Sequence, residues 1–265
     1  MRFVIKYMKK YFGGIMKKII NLLSLLIIAV LLLTSCSGIM DTLNTPDYKQ
    51  ITNDIFTNYI EMNLIVTTRS ESVNFVNFNQ GSGVIYAKEG GYYYCLTNAH
   101  VVETVPTDKN VTYTVTDCYG NKYDAIYIHS DASRDLAVLR FSASESLCVV
   151  ELAESDPEVD EEVVALAASN HLINSVTFGR VLEYKTTKIY DHDGKDVTRV
   201  KFPVIHHSAP VYSGSSGAAI LNLDMKLVGV NYGGSTYRED GSFYCGFAVS
   251  VSHIREYLEE NKLMK

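Results

Sequence analysis

The chain has 265 residues, of which 24 are Lys or Arg and 30 are Asp or Glu. Six of the basic residues and none of the acidic ones lie in the first 35 positions, so the remainder carries 18 basic against 30 acidic side chains, a net charge near −12. A surface with this balance repels phosphate backbones, which argues against a nucleic-acid partner.

The first 35 residues are predicted to be a targeting segment. Their apolar run, Ile19 to Leu33, has 15 residues and spans about 22 Å as a helix, short of the roughly 30 Å hydrocarbon core of a membrane. This length is typical of a signal-peptide core. A plain N-terminal anchor helix is the alternative, and Met16 would make a more typical start than Met1.

The apolar run is followed by Leu33-Thr-Ser-Cys36, which resembles the lipobox of bacterial lipoproteins. That resemblance implies a signal peptide at 1–35, lipid attachment at Cys36, and export to the outer face of a bacterial cell membrane. The next residues, 36–54, are polar and contain Pro46, so we expect a tether that holds the folded part off the membrane.

The rest of the chain, about 230 residues after Cys36, is long enough for one two-lobed domain or two small ones. From Ile55 onward, short runs rich in Val, Ile, Tyr and Thr are broken by Gly, Asn and Asp, which predicts an all-β chain. The predicted strands are 83–87, 92–97, 111–116, 122–129, 137–141, 162–167, 176–184, 200–206, 218–223, 226–231 and 244–249.

These strands are expected to form an N-terminal lobe at 55–150 and a C-terminal lobe at 163–251, joined by an acidic linker at 151–162. A final helix is predicted within 252–265, because Ser252 can cap a run whose apolar residues lie four apart on one face.

A candidate nucleophile lies in Ser213-Gly-Ser-Ser-Gly217, a serine-rich turn between two apolar runs. Glycine lets the backbone turn its N–H groups inward, so Gly214 and Ser216 can both donate to the negative oxygen that forms when a serine attacks a carbonyl group. Ser216 is then the nucleophile. Taken alone, such a cluster is more often an ordinary turn.

A serine hydroxyl needs a base, and the base needs an orienting group. His100 follows an aromatic strand, and Asp135 precedes the apolar run 136–139. A single histidine is more often a packing or surface residue, and an acid at a strand entry is usually a turn residue. Their order along the chain, with Ser216 third, predicts a Ser-His-Asp triad.

With these residues, the sequence resembles trypsin-like serine proteases, in particular the bacterial HtrA type, over about 60–260. The matching pieces are Gly81-Ser-Gly-Val-Ile, Leu96-Thr-Asn-Ala-His-Val-Val, Asp135-Leu-Ala-Val-Leu, Val176-Thr-Phe-Gly-Arg-Val, Gly214-Ser-Ser-Gly, Leu227-Val-Gly-Val-Asn-Tyr-Gly-Gly and Phe247-Ala-Val-Ser-Val. The resemblance implies two packed six-stranded antiparallel β-barrels, with His100 as general base, Asp135 as its orienting carboxylate, and the N–H groups of Gly214 and Ser216 as oxyanion donors.

The resemblance also implies where substrate binds. It assigns Asn231, Tyr232 and Gly233 to the strand that pairs with the substrate backbone, and it puts Pro210 where trypsin has an acidic pocket floor, so a preference for Lys or Arg is not expected. Asn231 stands near the place where glutamyl endopeptidases carry a histidine, which His206 or His207 could replace.

The sequence departs from the family pattern in two places. Ala218 stands where a second glycine is usual after the serine, and the chain ends about 50 residues after Ser216, so no PDZ module is expected. 

No cofactor or metal is expected. The remaining histidines lack metal-ligand spacing, and the loop Asp191-His-Asp-Gly is read as a hairpin tip. The pairing of Cys95, Cys118, Cys148 and Cys245 cannot be deduced from the sequence, although export would allow oxidation.

Two functions follow from these observations. The favoured one is a membrane-tethered extracytoplasmic serine endopeptidase that cleaves polypeptides through an acyl-enzyme intermediate. The alternative is a catalytically inactive trypsin-like fold that serves as a surface binding or adhesion module.

Overall fold

The computed structural model describes residues 45–169, 172–190, 193–234 and 243–265. The residues from Tyr48 to Lys265 form one compact unit. The predicted signal peptide and Cys36 lie outside the described residues. Among the helices of the described chain, none is long and apolar enough to cross a membrane.

The first half of the unit is a closed barrel of six antiparallel strands in the order β1-β2-β3-β6-β5-β4. Alternate residues of β1 are buried, from Leu64 and Val66 to Thr68 and Ser70, as expected for a strand with one face on a core. The strands are β1 Asn63–Glu71, β2 Val76–Glu89, β3 Tyr92–Thr97, β4 Lys109–Thr116, β5 Lys122–Asp131 and β6 Leu136–Phe141.

The second half repeats this architecture in a closed antiparallel barrel, in the order β7-β8-β9-β12-β11-β10. The predicted fold of two six-stranded antiparallel barrels is therefore confirmed. Its strands are β7 Glu162–Ser169, β8 Leu172–Lys185, β9 Val204–His207, β10 Ala219–Leu221, β11 Leu227–Gly234 and β12 Gly246–Ser250.

Several strand assignments differ from the sequence prediction, and β2 and β8 are longer than predicted. Strand β1 was missed, because its buried face includes polar residues and the run Thr67-Thr-Arg-Ser-Glu71 has no apolar alternation. The strand predicted at 200–206 pairs only over Val204–His207, and the one predicted at 218–223 only over Ala219–Leu221.

The end of the predicted tether is folded, which corrects that prediction. Helix α1, Tyr48–Asp54, leads into a short π-helix, Ile55–Tyr59, and a 3₁₀ turn, Ile60–Met62. The Tyr48 hydroxyl donates to Glu162 Oε1 at 2.9 Å, and its ring centroid lies 4.8 Å from that of Phe178. These contacts attach α1 to the second barrel, so the segment from Tyr48 onward is not a free spacer.

The C-terminal helix α3, Val251–Glu260, is capped by the linker rather than by its own serine. Ser252, the predicted cap, lies inside the helix, and its backbone N–H donates to Asp156 Oδ1 at 2.8 Å. Asp156 Oδ2 also accepts from the hydroxyls of Ser250 and Ser252. A carboxylate at a helix N-terminus satisfies unpaired N–H groups and complements the helix dipole.

His207 on β9 is enclosed in the second barrel with no exposed surface. Its Nε2 lies 3.1 Å from Asn231 Oδ1. A Cβ atom on Gly246 would lie 2.4 Å from His207 Cε1, so the neighbouring strand leaves room for the ring only because residue 246 is glycine. Burial lowers the pKa of His207 to about 4, and the hydrogen bond to Asn231 offsets this only in part.

This buried imidazole makes stability depend on pH. An unfolded histidine has a pKa of about 6.5. Between about pH 4 and pH 6.5 the unfolded chain therefore binds a proton at this position, whereas native His207 stays neutral. We predict that the His207 contribution is fully present above pH 6.5 and that about 3 kcal/mol is lost as pH falls toward 4.

Urea unfolding of wild type and His207→Met between pH 4.5 and 7 measures this contribution as a difference in slope. The variant is expected to show a flatter pH dependence, whereas His253→Gln, in a less buried position, is expected to keep the wild-type slope. Equal slopes in His207→Met and wild type would contradict the prediction.

Candidate active site

His100 lies in a one-turn helix, α2 Ala99–Val102, that directly follows β3. Asn98 before it still has extended backbone angles, so the helical turn begins at Ala99, and its buried side chain donates from Nδ2 to the carbonyl oxygen of Asp135 at 2.8 Å. The side chain of His100 is 30% exposed. This turn therefore holds the histidine at the rim of the first barrel, tied to the segment that carries the candidate carboxylate.

Asp135 occupies the turn between β5 and β6 in a left-handed backbone conformation, with φ of 51°. It is 1% exposed, and both its carboxylate oxygens form hydrogen bonds with His100. Oδ1 accepts from the backbone N–H of His100 at 2.9 Å, and Oδ2 lies 2.7 Å from His100 Nδ1. Since Nδ1 faces the carboxylate, Nε2 is the ring nitrogen available to a substrate or nucleophile.

The turn that carries Ser216 depends on two glycines with positive φ, Gly214 at 92° and Gly217 at 88°. A Cβ atom on Gly217 would lie 2.0 Å from the carbonyl oxygen of Ser82 and 2.5 Å from Thr97 Oγ1. Only glycine fits this close approach to the first barrel. Ala218, the departure from the family pattern, is fully buried and donates its N–H to Ser215 O.

Ser82 of β2 holds this turn from the other barrel. Its N–H donates to Ser216 O at 2.6 Å, its hydroxyl donates to Gly214 O at 2.8 Å, and the hydroxyl oxygen accepts from Ala168 N at 2.8 Å. The motif Gly81-Ser-Gly is one of the pieces that resemble the family, but the sequence predicts no role for its serine. The role of Ser82 depends on the contact between the barrels, which the local sequence does not show.

The two predicted oxyanion donors are unoccupied by protein. Over the described part of the chain, neither Gly214 N–H nor Ser216 N–H has a hydrogen-bond partner, whereas the N–H groups of Ser215, Gly217 and Ala218 all do. Gly214 and Ser216 both line the candidate cavity described next. Two free amides beside a serine hydroxyl are the arrangement that stabilises a developing oxyanion.

His100 and Ser216 line one cavity of about 390 Å³. The other wall residues that matter here are Tyr212, Ser213 and Gly234. No hydrogen bond joins His100 Nε2 to Ser216 Oγ within the described residues, which is the looser arrangement often found in sites without substrate. The structure therefore brings the three predicted triad residues to one region and pairs two of them directly.

Of the predicted substrate-strand residues, Asn231 does not have a free backbone. Its N–H donates to Ala218 O, and its carbonyl accepts from Gly217 N. Its side chain is 1% exposed and bonds to the protein interior. Asn231 also lines the candidate cavity, and its carbonyl oxygen has a second lone pair, so its role as a backbone partner for substrate stays a prediction.

The open edge of strand β11 begins after Asn231. Strand β10 pairs with β11 no further than Val230, while β12 pairs with its other side as far as Gly234. Tyr232 and Gly233 thus lie in a stretch of β11 whose second edge has no strand neighbour among the described residues, and Gly233 lines the same cavity as Ser216. The buried Tyr232 ring, which is 5% exposed, has its pKa raised by burial.

The two histidines considered as pocket residues lie elsewhere. His206 Nε2 lies 2.5 Å from Thr187 Oγ1, and burial lowers its pKa. His207 is enclosed in the barrel, and neither residue lines the cavity. Pro210 accepts a hydrogen bond from Thr177 Oγ1 through its carbonyl oxygen at 2.8 Å.

No group of His, Cys, Asp or Glu in the described ranges has the geometry of a metal site. Asp191 and His192 of the loop weighed for that purpose lie outside those ranges. No disulfide joins the four cysteines of the described chain, and Cys95 and Cys245 are buried.

Comparison with known proteins gives results that agree with this geometry. Residues 81–230 match the family model of the trypsin-like peptidase domain. The chain is 31% identical over 200 residues to the serine protease Do-like HtrA of Bacillus subtilis (strain 168), covering 74% of this chain and 42% of that protein. It is 29% identical over 176 residues to the periplasmic serine endoprotease DegP of Salmonella typhimurium, covering 66% and 34%.

The fold is also similar to the crystal structure of the serine endoprotease from Yersinia pestis, with a TM-score of 0.59 and 23% identity, covering 82% of this chain and 67% of that one. The chain spans about two fifths of the length of the Bacillus relative. The resemblance predicted from the sequence is confirmed at the level of the trypsin-like domain and its HtrA relatives. The chain belongs to the trypsin-like peptidase family.

Proposed function

We propose that this chain is a serine endopeptidase in which Ser216 is the nucleophile, His100 the general base and Asp135 the group that orients the base. The observation that carries the proposal is that two hydrogen bonds join Asp135 to His100. His100 lines the same cavity as Ser216 and the two backbone N–H groups that have no partner among the described residues. Its relatives named as serine proteases support the same reaction class.

The first half of the reaction forms an acyl-enzyme. Ser216 Oγ attacks the scissile carbonyl carbon as its proton passes to His100 Nε2, and Asp135 stabilises the imidazolium that results. The N–H groups of Gly214 and Ser216 bind the oxyanion. Collapse of the intermediate breaks the C–N bond, and His100 Nε2 gives its proton to the leaving amine.

The second half releases the acid. A water molecule replaces the amine and gives a proton to His100 Nε2 while its oxygen bonds to the acyl carbon, and the ester bond to Ser216 Oγ then breaks as Oγ recovers the proton. No cofactor is needed for either half.

The proposed substrates are extended polypeptides. The unpaired edge of β11 at Tyr232 and Gly233 suits a substrate strand, since main-chain hydrogen bonds can form there whatever the side chains are. The described lining of the cavity contains no carboxylate. A Lys or Arg side chain would be buried there without a countercharge, so we propose that neither is preferred next to the cleaved bond.

We also propose that the enzyme is exported and tethered to the outer face of a bacterial cell membrane through lipid at Cys36. The apolar run and the lipobox-like Leu33-Thr-Ser-Cys36 support this proposal. The periplasmic location in the printed names of DegP relatives is consistent with export.

Replacement of the nucleophile tests the reaction directly. We expect a fluorophosphonate probe to label wild type, and Ser216→Ala to show no labelling, with casein hydrolysis reduced by more than about 10³-fold. The measurement is fluorescence of the labelled band together with release of peptides. Ser213→Ala, in the same turn, should still be labelled, and equal labelling of Ser216→Ala and wild type would refute the assignment.

Asp135→Asn tests the orienting role at little structural risk. Asparagine tolerates the left-handed backbone conformation of this position, but its amide cannot hold the imidazole in the tautomer with a free Nε2. We expect the labelling rate at pH 7 to fall by about 10³-fold or more with a melting temperature within a few degrees of wild type. Asp124→Asn, an exposed acid on β5, serves as the control, and a wild-type rate in Asp135→Asn would exclude the role.

Lipid attachment is tested by expressing the full chain in bacteria supplied with an alkyne-labelled fatty acid. We expect label on wild type and none on Cys36→Ser, which should also lose its membrane-pellet fraction. Ser37→Ala is the matched control beside the site. Label that persists in Cys36→Ser would place the anchor elsewhere.

A further inference from the structure

The side chain of Asn231 makes a buried hydrogen bond to the turn that carries Ser216. Its Nδ2 donates to the carbonyl oxygen of Ser215 at 3.0 Å, in a contact between residues 16 positions apart. Both partners are 1% exposed. Water therefore does not compete for this carbonyl group, which accepts from Asn231 Nδ2 and from the Ala218 N–H at 3.1 Å.

The hydrogen bond from Asn231 acts on the peptide group between Ser215 and Ser216. The carbonyl of Ser215 and the N–H of Ser216 belong to the same planar unit, in which the two groups point in opposite directions. Fixing the carbonyl toward Asn231 therefore fixes the Ser216 N–H toward the cavity. The neighbouring peptides are held separately, since Gly214 O accepts from the Ser82 hydroxyl and Ser216 O from the Ser82 N–H.

Asn231 is itself oriented by His207. The Ser215 carbonyl can only accept, so the amide of Asn231 must present its nitrogen there and its oxygen to His207, 3.1 Å away. The histidine must then donate from Nε2, which the neutral ring does when Nδ1 is unprotonated. The ring packs against Gly246, where a Cβ atom would lie 2.5 Å from Nε2.

We propose that His207 and Asn231 form a positioning relay that holds the Ser216 N–H in the oxyanion hole. The inference rests on the proposed endopeptidase function and assigns to it two residues outside the triad. Without the relay, the Ser215 carbonyl loses the donor at 3.0 Å and is left with the Ala218 N–H at 3.1 Å, and rotation of the 215–216 peptide toward the cavity would replace an oxyanion donor by an acceptor. The relay acts on the rate of bond formation, because the oxyanion exists only in the transition state and intermediate.

A fluorophosphonate tests the relay, since its phosphoryl oxygen requires the same donors. The Ser216 Oγ–P bond forms, the P–F bond breaks with loss of fluoride, and the hydroxyl proton passes to His100. The limiting labelling rate and the half-saturating probe concentration are measured separately at pH 7.5, with the melting temperature of each full-length variant.

We expect Asn231→Leu, which keeps the approximate volume but removes the donor, to lower the limiting rate by about 10- to 100-fold and to change half-saturation by less than about threefold. His207→Met should lower the rate in the same manner. His207→Gln retains a donor near the position of Nε2 and is expected to stay within about threefold of wild type. His253→Gln is the control with an unchanged rate.

The outcomes distinguish a failure of the relay from a failure of the proposed endopeptidase function. A wild-type limiting rate in folded Asn231→Leu overturns the relay while leaving the endopeptidase intact. Equal losses in His207→Gln and His207→Met also overturn it, because they indicate a packing role, and this comparison decides the matter if Asn231→Leu does not fold. Absence of labelling in wild type would instead refute the proposed function on which the relay rests.

Discussion

The site depends on the attachment of the Ser216 turn to the first barrel. Ser82 provides that attachment with three hydrogen bonds, two to the turn and one from Ala168 of β7. Gly217 allows the approach, because any larger residue would collide with the Ser82 carbonyl. His100 and Ser216, the proposed base and nucleophile, come from different barrels, so their alignment is only as accurate as this contact.

Around that contact, buried polar groups act from two sides. In the first barrel, Asp135 directs both its oxygens to His100 and so controls which nitrogen can take a proton. In the second, His207 and Asn231 direct a peptide carbonyl and so control which way an amide points. A buried carboxylate and a buried imidazole are each costly to enclose, and in this structure the hydrogen bonds of each orient a group beside the candidate cavity.

The sequence was informative where chemistry is local and less so where it depends on packing. That His100, Asp135 and Ser216 lie in one region could be predicted, because glycines flank the serine and the three residues follow the order of the family they resemble. Most strands could be predicted from β-branched and aromatic runs. Strand β1 could not, because it buries Thr68 and Ser70, polar residues whose hydrogen bonds form only in the closed barrel.

Asn231 shows the same limit within the site, because the sequence did not show that its N–H and carbonyl groups bond to the serine turn. A motif specifies that β11 passes the nucleophile, but it does not specify the register at which the strand stops serving the protein and becomes open to substrate. That register is set by the length of β10, which ends its pairing at Val230, and by the serine turn, which takes both peptide groups of Asn231. Because those groups are occupied, the side chain is held at the base of the turn with its amide directed inward. The same backbone hydrogen bonds thus place the side-chain amide of Asn231 within reach of the Ser215 carbonyl.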